Sequence, residues 1–234
     1  MKKTGKVFII VALCMIVFGT ILAAGAWIAI WTTGASWASD LGMYDARAQS
    51  HELDSITSLD LDLIDEPVYI VRGGDKVTIE WSQRYDGQYS LNAAEGGTLS
   101  LSRGSYGWFN IDIRMLDRAW WYSHIEDGLR LPVTVTIPEG MDLNRISLNG
   151  VNIRVTMDNI DARRIDANGV DLEVIFRHDD ISQYSFQTNG LRSILRIDGR
   201  RTHRGIGYRS YNHPGAWRHI TVGGVNAELD VRQN

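Results

Sequence analysis

The 234-residue chain reads as an all-β protein, a β-solenoid (β-helix-like) ectodomain behind one N-terminal transmembrane helix. Three observations predict this: a long uncharged run near the N-terminus, period-2 alternation of apolar and polar residues from Ile56 onward, and a segment that recurs roughly every 20 residues. They divide the chain into a cytoplasmic tail at 1–6, a transmembrane helix at 7–33, a stalk or linker at 34–55 and a β-repeat ectodomain at 56–234.

Residues 7–33 are 27 in a row without a charge. As a helix they extend about 40 Å, against roughly 30 Å of hydrocarbon. Lys2, Lys3 and Lys6 precede the run, Asp40 follows it, and Trp27, Trp31 and Trp37 gather toward its far end as an interfacial belt. The positive-inside rule then places the chain in the cytoplasmic membrane as a single-pass protein, N-terminus cytoplasmic and β-domain extracytoplasmic, with the lipid bilayer as partner of 7–33. The alternative is a cleaved signal peptide ending near Ser36-Trp37-Ala38, whose apolar core would ordinarily be only about 7 to 15 residues.

Ser58-Leu59-Asp60-Leu61-Asp62-Leu63 sets three leucines on one face and polar groups on the other, the mark of a half-buried strand. Similar runs begin at Val77, Thr98, Phe109 and Val133, separated by Gly73-Gly74-Asp75, Asp86-Gly87, Gly96-Gly97 and Pro138-Glu139-Gly140. The only stretch that competes as a helix lies around Met115 to His124.

The second half repeats itself. Arg145-Ile146-Ser147-Leu148-Asn149-Gly150-Val151 is echoed from Arg164 to Val170, from Ser185 to Leu191 and from His219 to Val225. Gly150, Gly169, Gly190 and Gly224 are spaced by 19, 21 and 34 residues, the last being one repeat plus an insertion. A left-handed corner at each Asn-Gly turns Leu148 and Val151 both inward, stacks Asn149, Asn168 and Asn189 as a ladder, and lines the interior with Ile146, Val151, Ile153, Ile165, Val170 and Leu172. The other reading makes each Asn-Gly a hairpin turn in an antiparallel sandwich. Hairpins do not require near-identical strands at a fixed period, which favours the solenoid.

The opening Ile56-Thr57-Ser58-Leu59-Asp60-Leu61, the strand from Val133 that ends in Ile137-Pro138-Glu139-Gly140, and the Asn-Gly repeats together resemble the bacterial putative-adhesin family of unknown function, with its β-strand repeats and N-terminal membrane segment. The resemblance runs from about Ile56 to Val231 and rests on structural motifs. It implies an extracytoplasmic β-solenoid and supplies no active site.

The chemistry on offer is sparse. Cys14, the single cysteine, lies in the apolar run, so the exported part has no disulfide, cysteine nucleophile or Cys-based zinc site. Past Asp40 the chain carries 21 basic against 28 acidic residues, a net of −7, which argues against a nucleic-acid partner. Asp158 with Asp161, and Asp179 with Asp180, are the pairs a polysaccharide-cleaving β-helix would need, although aspartate equally fills turns by capping its own backbone. The six histidines show no metal-ligand spacing, Asp60, Asp62 and Asp65 alternate with leucines as a strand's polar face does, and no glycine pair is followed by the lysine of a phosphate loop. No cofactor, metal or catalytic residue is assigned.

Two aromatic groups remain. Tyr106-Gly107-Trp108-Phe109 and Trp120-Trp121-Tyr122 flank an excursion between strands and are expected to cap the open end of the core. The insertion at 199–218 holds Arg200, Arg201, Arg204, Arg209 and Arg218 among Tyr208, Tyr211 and Trp217, with no acidic residue. Those eight residues are the candidate ligand patch, with an anionic envelope polymer or a membrane protein as partner, since arginine forks pair with carboxylate or phosphate and aromatic faces hold sugar rings. The expected role is a noncatalytic scaffold, adhesion or recognition module of the cell envelope. The alternatives are a polysaccharide-active enzyme on the same fold and a sensory or regulatory subunit of a membrane complex.

Overall fold

The computed structural model describes residues 46–83, 87–103 and 132–234, for residues 203 and 204 the backbone alone. The tail at 1–6, the helix expected at 7–33, the linker up to 45 and the aromatic groups around Trp108 and Trp121 lie outside the described residues, as does the run at Phe109. No helix among the described residues is long and apolar enough to cross a membrane.

The described residues of the compact unit from Arg47 to Asn234 are all-β, a 13-stranded sheet with a 3-10 turn at Ile181–Gln183. It begins with β1 (Arg47–Leu53), inside the stretch read as linker. Alternation becomes burial directly: in β2 (Ser58–Ile64) Leu59, Leu61 and Leu63 are buried, while Asp60 and Asp62 face outward. β3 (Pro67–Arg72), β4 (Val77–Gln83), β6 (Thr98–Arg103) and β7 (Val133–Ile137) show the same pattern.

The sheet is built of rungs. Each rung has two arms joined by a bend, and successive rungs pair in parallel along both arms. β2 with β3 forms one rung and β8 (Leu143–Val151) with β9 (Arg154–Asp158) the next. β10 (Ala162–His178) runs through both arms as one strand and pairs with β8 along its first arm and with β9 along its second. The two arms enclose one apolar cluster, in which Leu148, Val155, Ile165, Val174 and Phe176 are fully buried. Each such side chain stabilises the fold by roughly 1.5–3 kcal/mol. At one end the parallel stack is closed by antiparallel pairs: β4 on β7, β1 on β4, and β5 (Tyr89–Ala93) on β6.

The bend is not where the repeats placed it. Neither Gly150 nor Gly169 has positive φ; the left-handed residues of this first bend are Asp65, Asn152, Asp171, Arg192 and Asn226, with φ between 53° and 64°. The strand therefore continues straight through Asn-Gly, its side chains still alternating, and Val151 and Val170 emerge on the outside at 44% and 40% exposure. They are not interior residues, whereas Ile146, Ile153, Ile165 and Leu172 are. The turn two residues after each glycine restores the inward phase for Ile153 and Leu172. Side chains tie the turns together: Asn152 Nδ2 donates to Asp65 Oδ1 at 2.7 Å, and Asn226 donates to Asp171.

The glycines serve close approach instead. A Cβ on Gly169 would lie 2.1 Å from the Gly150 carbonyl oxygen, and one on Gly150 would lie 2.3 Å from that of Leu63. Because Asn149 and Asn168 are mid-strand residues paired in parallel register, they form no hairpin turn.

The stacking order departs from chain order. β11 (Tyr184–Ile197) does not pair with β10; β13 (Arg218–Gln233) lies between them and is parallel to both. The asparagine ladder is accordingly Asn149, Asn168, Gly223, Asn189, with the last repeat of the sequence inserted between the second and third. The insertion has a topological reason. A parallel rung must start where its neighbour starts, and β11 finishes at the opposite end. β12 (Arg200–Asn212), antiparallel to β11, carries the chain back to the start before β13 enters its slot.

Next to the first bend, Glu66 is 8% exposed and accepts from the Tyr89 hydroxyl and from the Ile64 amide at 2.9 Å. Burial holds its carboxyl above the ordinary 4.5, against the opposing pull of the Tyr89 hydroxyl and the Arg103 guanidinium. The folded state thus binds this proton more tightly than the unfolded chain. The residue favours folding below pH 4.5, and that contribution is lost as pH rises through the folded value. In Glu66→Gln, the midpoint of wild type minus that of the variant should fall as pH rises from 4 to 7. Melts across that range check this, and a difference that grows with pH would contradict it.

Candidate functional site

The residues singled out in the insertion separate into two groups. Arg200, Arg201, Arg204, Tyr208, Arg209 and Tyr211 all lie on β12, the outermost strand at the end of the stack opposite β1 and β5. Arg218 lies on β13 and Trp217 just before it.

On β12 each side chain shares a face with its cross-strand partner. Arg209 sits opposite buried Thr188, Tyr211 opposite buried Phe186 and Arg200 opposite Ile197, so these three project on the core side of the sheet. Arg201, opposite Arg196, and Tyr208, opposite Asn189, project outward. The arginines are thus spread along both faces of one edge. Tyr208 and Tyr211 are 54% and 40% exposed, and Ile206 between the arginines is 72% exposed. Tyr211 packs edge-on against His213 at 5.0 Å, and that ring meets Phe186 at 6.3 Å. Arg200, Arg201 and Arg209 make no ion pair among the described residues; Arg209 donates only to the carbonyl of Tyr208, at 3.0 Å.

Arg218 behaves differently. It is 6% exposed, donates from both terminal nitrogens to Asp142 at 3.0 and 3.3 Å, and lies 3.3 Å from Asp161. Its guanidinium also rests over Trp217 at 4.3 Å and Tyr184 at 5.6 Å. Asp161 is shared with Arg72, and His178 Nε2 is 3.3 Å from it while His178 Nδ1 accepts the Asp180 amide at 3.0 Å. Tyr184, inside this cluster, has its hydroxyl pushed up to about 12 by burial and donates to the Ile160 carbonyl at 3.1 Å. This cluster, in which Arg218 Nε alone of the guanidinium nitrogens is buried without a hydrogen-bond partner, orders the second bend, around Asn159 and Asp179 where the second arm ends, and the passage of the chain into β13. Nothing in the local sequence shows it, since Asp142 lies 76 residues before Arg218.

The carboxylate pairs occupy the second bend. Asp161 is taken up by the arginines, and Asp179 accepts from Asn159 Nδ2 at 3.2 Å. Asp180 accepts from the Ser182 hydroxyl at 2.6 Å, the Gln183 amide and the Ser182 backbone, which hold its carboxyl below the ordinary range. Asp60 and Asp62 line the outer face of β2, and Asp65 takes the bend. Among the described residues no three His, Cys, Asp or Glu side chains are grouped to hold a metal ion.

One surface feature was not anticipated. Val151, Val170, Val225 and Leu191 are adjacent in register, one per rung, and 40–51% exposed, forming an aliphatic ridge beside the first bend. Its signal in the sequence was the Val or Leu after each glycine, of which Val151 and Val170 were expected in the interior.

No protein-family model matches the chain. No curated protein matches it in sequence. Among solved structures the chain is similar to a putative cell adhesion protein from Clostridium sporogenes, at 8% identity and a TM-score of 0.49, over 81% of this chain and 100% of that one. It is similar also to a putative adhesin from Bacteroides fragilis, at 10% identity and a TM-score of 0.29, over 82% of this chain and 98% of that one. Likenesses at this level carry no argument about function.

Proposed function

We propose that the chain is a noncatalytic recognition module of the cell envelope, a β-solenoid tethered outside the cytoplasmic membrane by the helix expected at 7–33. Its contact surface is the β12 edge. The observation that carries this reading is the set of exposed arginines there, Arg200, Arg201 and Arg209, without ion pairs among the described residues and interleaved with exposed Ile206, Tyr208 and Tyr211 on a chain whose net charge is −4. Cations left unneutralised beside apolar and aromatic side chains suit an anionic envelope component. The use of Asp161, Asp179 and Asp180 in the second bend supports the noncatalytic reading, because carboxylates tied into turns are poorly placed to act as acid and base on a sugar.

The test compares full-length protein with a variant carrying Arg200→Ala, Arg201→Ala and Arg209→Ala, for retention on anionic liposomes and on isolated cell-wall polymer. Retention of the wild type should fall as salt is raised, since exposed charges are screened within about 8 Å at physiological ionic strength. The folded variant should be retained several-fold less at low salt. Equal retention of the two proteins would overturn the proposal.

A further inference from the structure

We infer that β12 is a docking strand, whose free edge takes up an extended acidic segment of a partner protein as an added strand of the sheet. This rests on the reading of the β12 end as the recognition surface and names its partner.

β12 is 13 residues long and pairs with β11 alone, so its far side carries a row of backbone donors and acceptors with no strand against it among the described residues. The other two edge strands among the described residues, β1 and β5, are 7 and 5 residues long. An edge of this length is a template for strand addition, in which backbone hydrogen bonds give affinity and alternate side chains give selectivity.

The charge pattern selects the occupant. Arg200 and Arg209 project on one face and Arg201 on the other, so a strand laid along the edge meets guanidinium groups on both of its own faces. A flat bilayer would meet those of one face only. A second copy of β12 would add its own arginines to the edge and no acidic residue to meet them, since 200–212 contains neither Asp nor Glu. A strand with Glu or Asp on both of its faces, as consecutive acidic residues provide, turns the same arginines into charge-assisted hydrogen bonds. Exposed Ile206 and Tyr208 supply apolar contact for the residues between.

The experiment uses the full chain in detergent micelles and a fluorescent Thr-Glu peptide as long as β12, in which Thr-Thr and Glu-Glu pairs alternate so that both faces carry carboxylates. The peptide should bind and should slow amide hydrogen exchange within residues 200–212. The corresponding Thr-Lys peptide, with Lys in place of every Glu, should not bind. The Thr-Glu peptide with every second amide N-methylated keeps its charge and loses one row of backbone donors; it should bind at least about tenfold more weakly, the equivalent of roughly 1.4 kcal/mol. Replacing Arg200, Arg201 and Arg209 together by Glu should transfer binding to the Thr-Lys peptide. Should that variant fail to fold, the methylated peptide on the wild-type chain still decides.

Equal affinity for the methylated and unmethylated peptides, or protection outside residues 200–212, would overturn strand addition. Paired second copies, seen as a dimer protected at β12 without peptide, would overturn it as well. Retention on cell-wall polymer without peptide binding would overturn this inference and leave envelope recognition standing, whereas loss of both would remove the two together.

Discussion

Deleting residues 218–234 is expected to abolish the cooperative unfolding transition of the β-domain. β13 is the shared neighbour of β10 and β11, and it holds Ile220, Val222, Leu229 and Val231 fully buried. At roughly 1.5–3 kcal/mol for each such side chain, their loss rivals the 5–15 kcal/mol by which a domain is typically stable. The deletion also leaves two long strands with unpaired facing edges and removes Arg218, stranding Asp142 without its bidentate partner. Near-ultraviolet circular dichroism and limited proteolysis of the truncated chain check this; a retained sigmoidal melt would show that β11 can close directly onto β10. Deleting residues 47–53 should by contrast lower the midpoint only modestly. β1 is an edge strand of exposed and half-buried residues, of which only Leu53 packs against the apolar cluster.

The position of β13 also marks how far the sequence could be read. Alternation at Leu59, Leu61 and Leu63 is a local property, and it became a half-buried strand as expected. The repeats gave pairing register correctly, since Gly150, Gly169, Gly190 and Gly224 stand side by side. Similarity among repeats carries no information on which two are neighbours, so the swap of β11 and β13 was invisible. Its trace was the 34-residue spacing between Gly190 and Gly224, long enough for a return strand. The bend was misplaced because Asn-Gly is the stronger turn signal in isolation. Asn152, Asp171 and Asn226, two residues after successive glycines, were the true left-handed positions and were equally periodic. For the candidate patch, the sequence grouped residues that the fold divides: six stay together on β12, while Arg218 is drawn into a buried cluster by aspartates distant in sequence.

The glycine ladder yields a prediction that separates close approach from left-handed geometry. Gly169→Ala adds one methyl at a residue without positive φ, so a conformational account gives it little cost. The packing account gives it a large one. The new Cβ would lie 2.1 Å from the Gly150 carbonyl oxygen, a backbone atom that can yield only if the two rungs move apart. Separating them strains the ladder on either side of Asn168 and lengthens hydrogen bonds along both arms. Overpacking of this kind costs typically 1–3 kcal/mol and occasionally more, so a loss of about 3 kcal/mol is expected. Gly224→Ala should be worse, because its Cβ would lie 1.8 Å from the Gly169 carbonyl and its φ of +122° is itself unfavourable for a side chain. Gly215→Ala is the matched control: φ is +83°, yet nothing lies within 4 Å of its Cβ, so it should show only a backbone cost of about 1 kcal/mol. Chemical denaturation of the three variants orders them as Gly224, Gly169, Gly215 from most to least damaging. If Gly169→Ala proves as mild as Gly215→Ala, rung separation is easy there and the repeated glycines owe their place to something other than carbonyl clearance.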